Sequence, residues 1–317
     1  MKESEKMKPI YDFAKKEELE LIHEYSMKLL KETGVVFYCD EVIQIFKDHG
    51  FKVEGNTVYM DEKDIMNALK TVPKEFEWYG RNARITLGGG KTVCAPCYGP
   101  MYILQDGEFH APNIVDFNNF AKLDATSKVL DVSNPNMMDL SFMPSSVASN
   151  CAMATVLMHN ERPAIGMVDG RQSAIDSIQM AKEFYDIHDK TVVCGLINVA
   201  SPCVYSQAMS EALVEYAKEG QGVFITPSAM SGLTAPDSIA SLLLLNNTEV
   251  LPGVVLTQLI NPGTPVVYGI QSHGSDIRYT VPTVGSPEQC LIFYAVKELG
   301  NFYGIPVRIG GSNNNKK

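Results

Sequence analysis

Residues 265–288 read PVVYGIQSHGSDIRYTVPTVGSPE, and this stretch decides the fold that the rest of the chain predicts. The segment 266–268 is β-branched and aromatic and lies between proline and glycine, which predicts a short buried strand. A polar segment, residues 271–278, follows it. Ser286 and Pro287 then supply the cap and the first-turn proline of a helix. A strand, a polar loop and a helix form one βα unit of a parallel α/β fold, in which the loop after the strand carries the chemistry.

The same alternation recurs through much of the chain. It predicts strands at 94–101, 129–138, 163–168, 191–199, 223–227, 265–270 and 306–309, and helices at 145–158, 172–187, 205–219, 238–251 and 288–303. Strands and helices in this order predict parallel pairing through right-handed crossovers. We therefore predict an α/β fold, a TIM (β/α)8-type barrel that lacks its last β/α unit or units. An unfinished barrel leaves strand edges exposed, so we expect a fragment, or a barrel that another chain completes.

The first 75 residues have a different pattern. Helices are predicted at 13–33, 40–49 and 61–69, with a hairpin around Gly55-Asn56. Short strands at 76–79, 84–87 and 92–104 and a helix at 116–127 then lead into the alternating region, and residues 313–317 are predicted to be coil. We divide the chain into an N-terminal helical cap with a small hairpin, residues 1–75, and an incomplete barrel domain, residues 76–317.

Composition excludes some classes of partner. The formal net charge of -10 argues against a nucleic-acid or anionic-membrane surface, since both require basic patches. No apolar run reaches 18 residues, and the N-terminus lacks the apolar core of a signal peptide, so we expect a cytoplasmic protein. The seven cysteines favour reduced, mostly buried thiols. Cys94 and Cys97 have the spacing of a redox pair, but they lie in a predicted strand, which makes redox or metal use the less favoured alternative.

Polar residues follow the predicted strands, where a barrel would bring them to one mouth. They are Asn134, Asn136, Asp169, Asn198, Ser201, Ser228, His273, Asp276 and Arg308, and Met230 stands with Ser228 after the fifth strand. His273 near Asp276 is a candidate general base, with solvated loop residues as the alternative. The lone histidine does not indicate a metal site.

Other residues carry charge or aromatic surface in apolar surroundings. Glu249 interrupts an apolar helix, which predicts either a structural ion pair or a contact to substrate or cofactor. Arg308 is a candidate for gripping a carboxylate, because its fork matches that group. Tyr98, Tyr102 and Phe142 could form aromatic walls around a cation, with core packing as the alternative.

The second half of the chain resembles a known family. The segments that carry the resemblance are ITPSAMSGLTAP at 225–236, NTE at 247–249 in place of the family's Asn-Ala-Glu, NPGTPVVYG at 261–269, GSPE at 285–288 and YGIPVR at 303–308. Together they are similar to the trimethylamine:corrinoid methyltransferase family. The resemblance implies a TIM barrel that passes a methyl group from a methylated amine to the Co(I) corrinoid of a separate corrinoid protein.

The resemblance also implies a branch and a set of roles. Archaeal trimethylamine enzymes carry pyrrolysine, whereas bacterial relatives associated with quaternary amines such as glycine betaine lack it, and we favour the latter branch. The expected catalytic residues are His273, Asp276 and Glu249; the substrate contacts are Tyr98, Phe142 and Arg308; the corrinoid contacts are Asn198, Ser228 and Met230; no residue is assigned to a metal. We expect Tyr98, Glu249, His273, Asp276 and Arg308 to line one cavity.

The expected partners are the cognate corrinoid protein, a small methylated amine and further copies of the chain. Two other readings stay open. The chain could be an inactive module that binds an amine or a corrinoid protein, or a different barrel enzyme that uses His273 as a base.

Overall fold

A computed structural model describes residues 14–310 of the 317. The predicted helix start at residue 13 and the predicted coil at 313–317 lie outside this range. Within it, the N-terminal section contains the three expected helices and the expected hairpin. They are α1 (Lys16–Glu32), β1 (Val35–Phe37), α2 (Asp40–Asp48), β2 (Lys52–Glu54), β3 (Thr57–Tyr59) and α3 (Glu62–Thr71). The predicted start of the third helix is confirmed, because Asp61 begins α3 through a capping box with Asp64.

Two further hairpins follow. They are β4 (Glu75–Tyr79) with β5 (Arg84–Gly88), and β6 (Ile103–Gln105) with β7 (Glu108–His110). The first matches the prediction. The strand predicted over 92–104 is wrong for most of its length, because only its last two residues belong to β6. Pro96 and Pro100 lie in this stretch, and Pro135 lies in the segment hydrogen-bonded to it. Proline lacks the N–H that regular strand pairing requires.

The centre of the fold is a five-stranded parallel sheet flanked by helices. Its order is β15 (Val307–Arg308), β12 (Val266–Gly269), β11 (Gly222–Pro227), β9 (Val193–Val199) and β8 (Ala164–Gly166). The remaining elements are α4 (Ile114–Thr126), α5 (Ser145–His159), α6 (Arg171–Tyr185), β10 (Val204–Tyr205), α7 (Gln207–Lys218), α8 (Ile239–Ile260), β13 (Ser275–Asp276), β14 (Val281–Pro282) and α9 (Pro287–Tyr303). The α/β class and the parallel pairing are confirmed, and so are five of the seven predicted barrel strands.

The other two predicted strands are extended segments rather than regular strands. Segment 131–136 lies beside β8, where the Ser133 amide donates to Pro163 O at 2.9 Å and the Ile165 amide to Ser133 O at 2.9 Å. Segment 94–99 lies beside 131–136 through the bonds Asp131 N to Cys94 O and Gly99 N to Asn136 O. The hydrogen-bonded order therefore continues past β8 to residue 94.

The sheet has an apolar layer on one face. One residue from each of five neighbouring segments packs there, in one cluster with Phe76, Trp78 and Leu87 of the β4–β5 hairpin. The five are Val132, Ile165, Leu196, Phe224 and Val267. The Trp78 indole donates to Val192 O at 3.1 Å, which fixes the hairpin near the start of β9. The opposite face, with Ile197, Ile225 and Tyr268, belongs to the main core with the helices.

The N-terminal section is hydrogen-bonded to the later part of the chain. Strand β1 pairs in parallel with β10, which follows the loop after β9, so one four-stranded sheet has the order β10-β1-β3-β2. Its side chains join the same core cluster as α8. The domain boundary at residue 75 stays a prediction.

Helix α8 is longer than expected. The prediction ended it at Leu251, but it runs through Pro252 to Ile260 because the apolar residues 254–256 beyond the proline are buried in the core. By length and composition alone α8 could cross a membrane, but 72% of its most apolar window is buried inside the protein. A polar block, Asn246, Asn247, Thr248 and Glu249, interrupts it and is fully buried.

All seven cysteines are free thiols. The expectation that most are buried is wrong: only Cys39 and Cys194 are buried, and Cys94, Cys97, Cys151 and Cys290 are exposed. Cys94 and Cys97 lie on the extended segment 94–99, whose irregular course leaves both partly open to solvent.

Candidate functional site

A polar layer lies directly above the apolar layer on the same face of the sheet. Asn134, Asn198 and Thr226 each stand two residues after Val132, Leu196 and Phe224, and alternate residues share a face. In register, Asn198 is opposite Thr226, and Arg308 is opposite Gly269, which stands two residues after Val267. We define Asn134, Asn198, Thr226 and Arg308 as the polar layer. It lies towards the carboxyl ends of the strands, and Asn198 is exposed although its strand neighbours are buried.

Arg308 and Tyr98 meet at one side of this layer. The Arg308 Cζ atom lies 5.4 Å from the centre of the Tyr98 ring, and Arg308 Nη1 donates to Gln271 Oε1 at 3.4 Å. No carboxylate pairs with Arg308 within residues 14–310, and burial lowers its pKa. The Tyr98 hydroxyl is buried without a hydrogen-bond partner in the same range, and burial raises its pKa. A half-buried cation without a counter-charge is a site for an anionic group.

Thr226 and Gly269 show how closely the strands approach in this layer. A Cβ atom on Gly269 would lie 2.2 Å from Thr226 Oγ1, so no larger residue fits at 269 without movement. The same hydroxyl is buried and has no hydrogen-bond partner among residues 14–310. The layer thus contains an unpaired polar group as well as an unpaired cation.

His273 and Asp276 have separate partners. Gln289 Nε2 lies 2.6 Å from His273 Nδ1, and Gln289 Oε1 accepts from the Gly285 amide at 2.6 Å, which orients the carboxamide. Burial lowers the pKa of His273, so the ring is neutral near pH 7, with Nδ1 as acceptor and the proton on Nε2. Asp276 binds Arg278 through Nε at 3.1 Å and Nη2 at 2.8 Å, and this pairing lowers its pKa. The expected pairing of His273 with Asp276 is not observed.

Glu249 lies behind the sheet, in the polar block of α8. Its Oε2 accepts from Ser201 Oγ at 2.9 Å and its Oε1 from the Cys203 amide at 2.8 Å. Burial raises its pKa to about 7. The predicted ion pair is absent within the described range; instead the carboxyl group holds the loop between β9 and β10.

The remaining predicted residues are divided between the sheet ends and a separate cluster. Phe142 packs near Phe117 of α4, with ring centres 6.4 Å apart, in a cluster distinct from that of Tyr98. Ser228 is exposed after β11, and Met230 is half-buried and forms a β-bridge with His273. The structure thus brings Tyr98 to Arg308, and Met230 to His273, whereas Glu249 and Asp276 bond elsewhere. The roles of all nine residues stay predictions.

Comparison with known proteins gives the family. The whole chain, residues 1–317, matches the family model described as trimethylamine methyltransferase (MTTB). The chain belongs to this family. The resemblance read from the sequence motifs is therefore confirmed.

Several curated relatives are similar over nearly the whole chain. Glycine betaine methyltransferase of Desulfitobacterium hafniense (strain Y51) is 36% identical over 316 residues, which cover 98% of this chain and 66% of that protein. Proline betaine:corrinoid methyltransferase of Eubacterium limosum is 36% identical, with coverages of 92% and 63%. Trimethylamine methyltransferase MttB of Methanosarcina thermophila is 30% identical, with coverages of 95% and 65%. The chain spans about two thirds of the length of these relatives.

A solved structure resembles the fold. The monomethylamine methyltransferase MtmB of Methanosarcina barkeri superposes with a TM-score of 0.53 at 12% identity, over 95% of this chain and 70% of that chain. At this identity the likeness supports the fold alone. It agrees with the parallel sheet and flanking helices described above.

The sequence reading of this MTTB-family chain missed several partners of the site. Asn134 was noted at a strand end, but the alternation from Val132 and Phe224 would have placed Asn134 and Thr226 on one face. Gln271 and Gln289 gave no such signal, because their contacts to Arg308 and His273 depend on how distant elements pack.

Two surface clefts lie away from these residues. One, of about 380 Å³, is lined by Tyr38, Glu41 and Arg171 among others; the second, of about 410 Å³, is lined by Phe76, Lys190 and Gln221 among others. None of the nine predicted site residues lines either cleft.

Proposed function

We propose that this chain takes part in moving a methyl group from a methylated quaternary amine to the Co(I) corrinoid of a separate protein. The support is membership of the trimethylamine methyltransferase family and the names of relatives that act on glycine betaine and proline betaine. A cytoplasmic location and assembly into a homo-oligomer belong to the same proposal.

The proposed architecture is a TIM-type barrel domain, residues 76–317, behind the cap at 1–75. Seven extended segments follow one another in hydrogen-bonded order from 94–99 to β15. The contact between Tyr98 and Arg308 brings the first and last of these segments together, as a curved sheet requires. The likeness to MtmB also supports this architecture.

The position of Arg308 is the main observation that supports the choice of a carboxylated substrate. Its guanidinium lies at the carboxyl ends of the strands beside an aromatic ring, with no carboxylate paired to it in the described range. A betaine carries a carboxylate that matches the guanidinium fork, and a quaternary ammonium that favours an aromatic face over hydrogen-bond donors. We therefore assign Arg308 to the substrate carboxylate and Tyr98 to the wall near the ammonium group.

The reaction needs little acid–base chemistry, because the leaving amine is neutral. This agrees with His273, whose neutral ring is bonded to Gln289, and with Asp276, which is occupied by Arg278. The work of the protein is to orient the C–N bond and to exclude water. In this assignment His273 and Asp276 shape the loops of the site, and a neutral His273 does not repel the substrate cation.

The corrinoid supplies a Co(I) nucleophile that accepts the methyl group. Asn198, Ser228 and Met230 are the proposed contacts to it. The fit is chemical: Asn198 and Ser228 are exposed, uncharged hydrogen-bonding groups at the ends of buried strands, and Met230 adds apolar surface. Such groups suit the amide-bearing rim of a corrin ring.

Methylation of Co(I) cobalamin, followed by absorbance, tests the proposal with glycine betaine, proline betaine, carnitine and trimethylamine. We expect turnover with a carboxylated amine. Arg308→Gln should lower kcat/KM for that amine by about 100-fold, since a buried charge-assisted contact is worth roughly 2–3 kcal/mol. Turnover of trimethylamine, which has no carboxylate, should change far less. Arg84→Gln, which removes an exposed arginine of the β4–β5 hairpin, is the matched control.

Other outcomes favour the alternatives. Amine binding in calorimetry without any methylation supports an inactive binding module. A pH–rate profile that follows the ionisation of His273, and disappears in His273→Gln, supports a barrel enzyme with a histidine base.

A further inference from the structure

Asn246 of α8 begins a hydrogen-bond relay, Asn246–Ser272–Ala229, at the carboxyl ends of the sheet strands. Ser272 Oγ donates to Asn246 Oδ1 at 2.8 Å, and the same hydroxyl accepts from the Ala229 amide at 2.8 Å. Asn246 and Ser272 are both fully buried. The relay therefore connects a helix behind the sheet to the loops that follow β12 and β11.

Those two loops carry residues of the proposed site. Ala229 lies between Ser228 and Met230, and Ser272 precedes His273. The loops also bond directly to each other, because the His273 amide donates to Ala229 O at 3.0 Å and the Ser231 amide to His273 O at 3.0 Å. These direct bonds fix the loops to each other, whereas the relay fixes the pair to α8.

The polar residue at 246 is costly for the fold. Its Nδ2 is buried and has no hydrogen-bond partner within residues 14–310, and an unpaired buried donor destabilises the folded state. The side chain of the next residue, Asn247, differs, because it bonds through both its oxygen and its nitrogen. Its partners are Ser26 of α1, Tyr303 of α9 and Tyr268 of β12. A leucine at 246 would avoid the unpaired donor, so the asparagine is better explained by what its oxygen holds.

We infer that Asn246 and Ser272 are positioning residues, which hold the β11 and β12 loops so that Ser228, Met230 and His273 face the reacting groups. Their catalytic consequence rests on the proposed function. Neither residue touches the substrate in this assignment; each acts through the backbone of the loops.

Hydrogen–deuterium exchange on the full 317-residue chain tests the positioning directly. In Asn246→Leu and in Ser272→Ala, the amides of Ala229, Ser231 and His273 should exchange about tenfold faster, as expected for losing one buried hydrogen bond. Thr257→Val is the matched control: Thr257 is fully buried in the same helix, and the one recorded bond of its hydroxyl is to Gly253 O, at 2.7 Å. The inference is overturned if either test variant exchanges these amides at the wild-type rate. It is also overturned if the control exchanges them as fast as the test variants do.

Asn246→Asp separates positioning from stability. It keeps the oxygen that Ser272 requires, so loop exchange should stay near that of the wild type even though the variant unfolds more easily. Where Asn246→Leu fails to fold, Ser272→Ala gives the same test, because it removes only a hydroxyl group.

Steady-state kinetics add a readout of function. A positioning role predicts that Ser272→Ala lowers kcat more than it raises KM, whereas Thr257→Val changes neither. If the wild-type chain neither binds nor methylates an amine, the proposed function fails, and the exchange data still decide whether the relay holds the loops.

Discussion

The chain contains two groups of polar residues in apolar surroundings, and they differ in how they are satisfied. The polar layer of the sheet leaves the Thr226 hydroxyl without a partner, leaves Arg308 without a carboxylate in the described range, and exposes Asn198. The polar block of α8 is fully buried and bonds to α1, α9, β12 and two loops, those after β9 and β12. We propose the first group for ligand binding, whereas the bonds of the second connect separate parts of the fold. Buried groups that bond to several elements indicate a structural role, whereas a cation without a paired carboxylate in the described range, such as Arg308, and an exposed amide, such as Asn198, suit a binding role.

The largest expected effect concerns Glu249 and pH. Its pKa is raised from 4.5 to about 7, so the fold favours the protonated form. This contribution is present below pH 4.5 and is lost as the pH rises through 7. Glu249→Gln carries no charge at any pH. The unfolding free energy of the wild type, relative to the variant, should therefore fall by about 3 kcal/mol between pH 4.5 and pH 8.

Urea denaturation at several pH values measures this difference. Asp276→Asn is the control, because the pKa of Asp276 is lowered by Arg278 and its effect is confined to pH values below that window. Parallel stability curves for wild type and Glu249→Gln would show that the carboxyl group is solvated, and would weaken the contrast between the two regions.

A smaller loss is expected for Asn247→Leu. The change removes the acceptor of the Tyr268 hydroxyl and the donor to Ser26 and Tyr303, while keeping a similar volume. Since one buried hydroxyl loses its recorded partner, we expect a loss of about 2 kcal/mol in the free energy of unfolding, measured with urea. No loss would mean that the polar block is not structural at this position.

The smallest effect is expected in the polar layer. Thr226→Val replaces an unpaired buried hydroxyl with a methyl group of the same size, so stability should change by less than about 1 kcal/mol and could rise. Chemical denaturation measures it, with Thr257→Val as the comparison for a bonded hydroxyl. A larger loss for Thr226→Val than for Thr257→Val would give the layer a structural role.

Local signals in the sequence predicted the elements well. In the stretch 265–288, the strand forms at Val266–Gly269, and Ser286 caps α9 by accepting from the Gln289 amide at 3.3 Å. These features depend on neighbouring residues, which a sequence displays. The pairing of Asp276 with Arg278, two residues apart, is equally local and was not predicted.

Long-range features could not be read in the same way. The polarity of Glu249 suggested an ion pair, but its partners are a hydroxyl and an amide from the loop after β9. Phe142 and Tyr98 look alike in sequence, yet packing places them in different clusters. The continuation of α8 past Pro252 was also hidden, because burial of the residues beyond it outweighs the local cost of proline.

The contact between Tyr98 and Arg308 has a consequence for the order of events during synthesis. The two residues are far apart in the sequence, and a contact of such wide sequence separation forms late and slowly. On the ribosome, the N-terminal section and the first helices can fold while Arg308 is still inside the exit tunnel. A small molecule held by this pair would therefore recognise only a chain that has folded as far as Arg308, and its binding would report that this contact has formed.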